Sequence, residues 1–137
     1  MNYDRLTRAL KIKIKGEEYS LRLDIGALAE IEDVMPSGKL VEMFINRQLP
    51  SIKVLEKAIC VGMSKDGKKV DEKTAKALFQ DYVFEVGIPE VTNVYYILLA
   101  VSGMLGDANA QEILSKAGLV NKDDTSTSIV GDQKNAV

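Results

Sequence analysis

Residues Leu10 to Lys15 read Leu-Lys-Ile-Lys-Ile-Lys, an apolar–polar alternation of period two. That period belongs to a strand with one buried face. Tyr19, Leu21, Leu23 and Ile25 alternate with Ser20, Arg22 and Asp24 in the same way. Gly16, Glu17 and Glu18 lie between the runs, and a glycine accepts the positive φ of a tight turn. The pattern predicts a β-hairpin. A lone hairpin is marginal in water, so its face of Leu10, Ile12, Ile14, Leu21 and Leu23 must rest on the segments that follow.

From Gly26 the period becomes helical. Leu28, Ile31 and Met35 share one face, and Pro36 disfavours helical geometry at Met35 and ends the segment. Ser37 is placed to cap the next helix, whose inner stripe is Leu40, Met43 and Phe44. Leu49-Pro50 breaks the chain again, and Ser51 caps a third helix carrying Ile52, Leu55, Ile59 and Met63. Lys65 to Val70 reads as a charged turn around Asp66-Gly67. Asp71 then caps a helix with Ala75, Leu78, Phe79 and Tyr82, closed by Gly87. Pro89 suits a first helical position, with Glu90 in the turn where the helix dipole favours an acid. Val91 to Leu105 is apolar almost all round, the mark of a helix that is central or covered by a partner. Asp107 caps a last helix through Ala117, and Gly118-Leu119 fits a glycine stop.

The expected architecture is α+β, an N-terminal hairpin packed on a bundle of about five short helices. After Val120 the chain is dominated by Lys, Asp, Thr, Ser, Gly and Asn. Such a segment buries too little to offset the entropy of ordering. The expected division is therefore one domain over residues 1–120 and a disordered tail over 121–137.

Composition narrows the chemistry. The chain has 137 residues, 46% hydrophobic and 28% charged, with a formal net charge of -2, the profile of an ordinary globular protein. Lysines are interleaved with acids, which argues against a basic stripe for nucleic acid. The uncharged run between Glu90 and Asp107 is too short to span a bilayer comfortably. The polar stretch Met1 to Thr7 has no apolar core of the kind a secretory signal carries, so the expectation is residence in the cytoplasm where the chain is made. There is no histidine, which removes the commonest general base and metal ligand. Cys60 is the single cysteine, so no internal disulfide forms. It sits among apolar residues and reads as a packed structural thiol rather than a nucleophile. Asp66, Asp71 and Glu72 surround Gly67 but lack the spacing of a calcium loop. No glycine-rich phosphate loop occurs. Lys11, Lys13 and Lys15 would line the outer face of the hairpin, where edge lysines discourage unwanted pairing. The reading is a protein without catalysis, cofactor or metal.

One stretch has a more specific likeness. Tyr19-Ser-Leu-Arg-Leu-Asp-Ile-Gly-Ala-Leu-Ala-Glu-Ile-Glu32 resembles the hairpin-to-helix opening of the tail assembly chaperone family of long-tailed phages, prophages and gene transfer agents. Lys39 to Phe44, Leu49 to Met63, Asp66-Gly67, Val70-Asp71 and Ala75 to Phe79 are similar to later parts of that family's pattern. The resemblance covers about Leu10 to Gly103. It implies an assembly role: holding the tape measure protein before the tube polymerises, with the tail tube protein as a second partner. It also leaves open a minor structural tail component retained in the virion. A small adaptor unrelated to phage is the remaining alternative.

Holding a partner helix needs an accessible apolar surface. Tyr95, Tyr96, Leu99 and Met104, on the uncharged helix, are the candidates for that surface or for self-association, since Tyr and Met suit adaptable interfaces. The simpler alternative is that this helix forms the centre of the core.

Overall fold

The computed structural model describes residues 1–36 and 39–119. Ser37, expected as a helix cap, and the expected tail over 121–137 lie outside them. The fold is α+β: an antiparallel sheet at the N-terminal side and six helices among the described residues.

The expected hairpin forms the middle of a larger sheet. Five strands follow chain order: β1 (Asn2–Asp4), β2 (Ala9–Ile14), β3 (Glu17–Arg22), β4 (Met63–Lys65) and β5 (Lys68–Lys69). The register explains the two faces. Tyr3 stands opposite Leu10, Leu10 opposite Leu21, and Leu21 opposite Met63. All four are buried, so one row of side chains crosses four strands on the core side. The next row, Asn2, Lys11, Ser20, Ser64 and Lys69, is polar and faces outward. Period two thus puts one set inside and the other in water.

Both two-residue turns that join tight strand pairs have positive φ at both positions: Lys15 and Gly16 at 55° and 79°, Asp66 and Gly67 at 51° and 81°. That geometry matches the twist of the flanking strands. The charged segment Lys65 to Val70, read from sequence as a turn alone, carries a miniature hairpin around Asp66-Gly67. The lysine row also differs from expectation. Strand β2 is not an edge over Ala9 to Lys11, because β1 pairs with it there. Lys11 donates to the Ser20 hydroxyl at 2.5 Å. Beyond β1, the Lys15 backbone N–H donates to Glu85 at 3.0 Å, and its ammonium pairs with Asp81 at 3.1 Å.

The helices are α1 (Ile25–Asp33), α2 (Leu40–Ile45), α3 (Ile52–Val61), α4 (Glu72–Val86), α5 (Ile88–Val101) and α6 (Asp107–Lys116). Asp24 caps α1 by accepting from the Ala27 N–H at 2.8 Å, and Ser51 caps α3 through Val54. The Leu40 N–H at the start of α2 is met by Glu32, 2.9 Å away, so a neighbouring helix supplies the acceptor. Asp71 occupies the cap position of α4 without a side-chain cap bond. Gly106, not Asp107, holds that position in α6; Asp107 is the first helical residue and pairs with Arg8 at 3.4 Å.

Helix α5 is the hub. Val91, Val94, Tyr95, Ile97, Leu98, Leu99, Ala100 and Val101 are all buried, and α3, α4, α6 and β2 pack around them. At Gly87, whose φ is 87°, the chain bends by 119° between α4 and α5. Among the described residues no single helix is long and apolar enough to cross a membrane.

Candidate docking surface

The four residues proposed for partner contact separate into two environments. Tyr95 and Leu99 are 3% and 0% exposed, interior side chains of α5. A folded chain cannot offer them to a partner, which corrects the surface reading for this pair. The cause is that α5 is surrounded, so its apolar circumference meets this chain's own helices and sheet. Tyr96 and Met104 are half-buried against the core. Tyr96 acts as a strut: its hydroxyl donates to the Gln48 carbonyl at 2.6 Å, and its ring lies 5.9 Å from Phe44 and 5.3 Å from Tyr95. It ties α2 and the connection after it to the hub.

What the strut holds in place is an apolar strip. Val41 and Ile45 are one helical turn apart on α2 and therefore share a face. Leu49 lies in the connection and Ile52 opens α3. All four are exposed, Leu49 to 80% and Ile45 to 64%. Ile52 also lines a groove of about 410 Å³ with Ala77, Phe79, Val83 and Ile88. Phe84, 78% exposed, follows one turn after Gln80 on that groove's wall. Scattered single apolar residues on a surface are ordinary, but a run of them is a mark of contact with another molecule. Sequence reasoning named Leu40, Met43 and Phe44 as the inner stripe of α2, and these do face inward. The missed signal was that Val41 and Ile45, off that stripe, are apolar as well. A six-residue helix apolar on two faces has one face to spare.

Tyr96→Phe is expected to cost about 1 kcal/mol or less, the usual worth of one partly exposed hydrogen bond. Urea unfolding measures the loss, and hydrogen exchange should show the amides of α2 opening faster while those of α5 do not change.

A second recess of about 390 Å³ lies beside Cys60, lined by Glu30, Lys53, Glu56, Lys57, Lys69, Glu72, Lys76 and the valines Val34, Val61 and Val70. Burial pushes the Cys60 thiol up to about 12, with Glu56 adding to the shift and Lys76 and Lys57 opposing it. The thiolate is the reactive form, and at pH 8 it then makes up on the order of one part in ten thousand. Native Cys60 is expected to react with a thiol reagent at least about 100-fold more slowly than in denaturant. A stopped-flow comparison at pH 8 checks this; equal rates would mean the thiol is not buried in solution. Among the described residues no cluster of three or more Asp, Glu or Cys side chains is placed to hold a metal ion.

Comparison with known proteins identifies the lineage. The pattern of the family described as phage tail tube protein, GTA-gp10, matches residues 8–101, more than half of the chain. The match runs from the second strand to the end of the hub helix, so it covers the strip, the groove and most of the core. The chain belongs to this phage tail family. No curated protein and no solved structure matches it. The family match leaves the adaptor unrelated to phage without support.

Proposed function

We propose that the chain is a structural component of a phage-type tail that works through protein–protein contacts, without catalysis, and assembles in the cytoplasm of the bacterial host. The tail tube family match over residues 8–101 carries this reading, and the exposed strip at Val41, Ile45, Leu49 and Ile52 supplies a surface for it. Mass spectrometry of purified particles tests it. The expected result is peptides of this chain at a fixed ratio to other tail proteins. Their absence from intact particles would remove the structural reading.

A second reading draws on the groove beside Ile52. An apolar groove with a charged rim, here Glu56 and Lys76, suits a transiently held amphipathic helix. In that reading the chain is an assembly chaperone that grips the tape measure protein and then leaves. Co-expression with the tape measure protein of the same genome separates the two. Solubility of the tape measure only in the presence of this chain, with no chain in finished particles, selects the chaperone.

A further inference from the structure

The exposed strip has a charge pattern of its own. Between residues 39 and 53 stand Lys39, Arg47 and Lys53 against one acid, Glu42. The other described residues of the helical body, 24–36, 54–62 and 71–119, carry four Lys or Arg against twelve Asp or Glu. A basic, apolar strip is thus set into an acidic body. Two acids of the adjoining α1 are turned to other groups: Glu32 accepts from the Leu40 N–H at 2.9 Å, and Glu30 lies 3.9 Å from the Lys57 ammonium.

The backbone at Arg47 is a second observation. Arg47 stops α2 with a φ of 55°, in the left-handed region where helix ends ordinarily place glycine. Its N–H donates to the Phe44 carbonyl at 3.1 Å, and the Gln48 N–H donates to the Met43 carbonyl at 3.1 Å. These are the paired bonds of a Schellman stop. The Gln48 carbonyl is held in turn by the Tyr96 hydroxyl. Burial raises the pKa of that hydroxyl and the Arg47 charge opposes the shift, so the guanidinium stands near the strut. An arginine kept where glycine suits the turn better points to a use for the side chain. The connection that carries Leu49 is therefore fixed before any partner arrives, and little freedom remains to be lost on contact.

We propose that the strip takes an amphipathic helix of a partner protein whose apolar stripe is flanked by acidic side chains. The stripe lies on Val41, Ile45, Leu49 and Ile52, and the acids meet Arg47 and Lys53. The apolar contact excludes water, and the charges select the partner and set its register. A helix with basic flanks meets like charge instead and is rejected. This rests on the strip being a docking surface, as proposed above, and adds the chemistry that the docked helix must carry.

Two labelled peptides test this by fluorescence anisotropy with the full chain. Both carry leucines along one helical face; one has glutamate on the flanks and the other lysine. The glutamate peptide is expected to bind at least about tenfold more tightly than the lysine peptide, and the preference should shrink at about 0.5 M salt. Ile45→Asp, shown folded by circular dichroism, should lose the glutamate peptide. Arg47→Gly is the sharper variant, because its two effects part. Its unfolding midpoint should hold or rise, since glycine suits the left-handed position. Its affinity for the glutamate peptide should fall about fivefold or more, and that for the lysine peptide should not fall. Equal binding of the two peptides, binding of neither, or an Arg47→Gly protein that holds the glutamate peptide as tightly as the wild type would each overturn the proposal. A chain that binds neither peptide but is present in purified particles would overturn this contact and leave the tail-component reading standing. A chain that prefers the glutamate peptide but is absent from particles and leaves the tape measure protein insoluble would do the reverse.

Discussion

Gly62→Ala is expected to destabilise the chain by about 3 kcal/mol, the upper end for forcing extra volume into a packed site. A Cβ at Gly62 would stand 1.8 Å from the Arg22 carbonyl oxygen and 2.8 Å from its carbon. Both are backbone atoms of the last residue of β3, so no side-chain rotation relieves the clash. The approach is close because the two segments are joined: the Arg22 N–H donates to the Gly62 carbonyl at 3.1 Å. The same residue ends α3 and leads into β4, so the strain would reach the β3–β4 pairing as well. The φ of Gly62 is -114°, which any residue adopts, so the requirement for glycine is one of space and not of handedness. Thermal unfolding should show a midpoint lowered by roughly 10 °C. As a contrast, Gly26→Ala should have little effect, since a Cβ there meets its nearest atom, on the Asp24 side chain, at 3.5 Å. A Gly62→Ala protein as stable as the wild type would mean that α3 and β3 do not meet this closely in solution.

This contact also shows where sequence reasoning stops. The hairpin of β2 and β3 was legible because its strands alternate over enough residues to fix a period. Strands β4 and β5 are three and two residues long, and no period can be read from so few. Lys65, Lys68 and Lys69 gave them the look of a solvated loop. They pair with each other around Asp66-Gly67, but β4 joins the sheet because Gly62 brings the chain back against β3, a long-range approach with no local signature. Strand β1 was missed for the same reason: within Asn2–Asp4 only Tyr3 is buried, beside Leu10. The helices were clearer, since proline, serine and glycine punctuate them and their stripes run for several turns. The docking surface was hardest to see. Uncharged composition pointed to α5, but composition does not distinguish a helix covered by its own chain from one awaiting a partner. The strip on α2 is short, and its exposure depends on which of two apolar faces the rest of the fold claims.

Leu99→Asp is expected to leave the chain unfolded at room temperature. Leu99 is fully buried on the hub helix, and the elements around α5 are α3, α4, α6 and β2. Truncation to Ala at such a site costs about 2–5 kcal/mol, from lost burial and the cavity left behind. Aspartate removes the same apolar contacts and adds a carboxylate with no ion pair prepared for it, at several kcal/mol more. The sum approaches the roughly 5–15 kcal/mol that holds a typical domain together. Ile45→Asp introduces the same group on the exposed strip, where the carboxylate keeps its water, and should change the unfolding midpoint by only a few degrees. Far-ultraviolet circular dichroism and urea titration of the two variants decide between two roles for the apolar residues of this chain. If Leu99→Asp loses its helical signal and Ile45→Asp keeps it, α5 is the core and Ile45 on α2 is free of it. A folded Leu99→Asp would return α5 to candidacy as an interface, because a helix that tolerates a charge at its centre is not packed on every side.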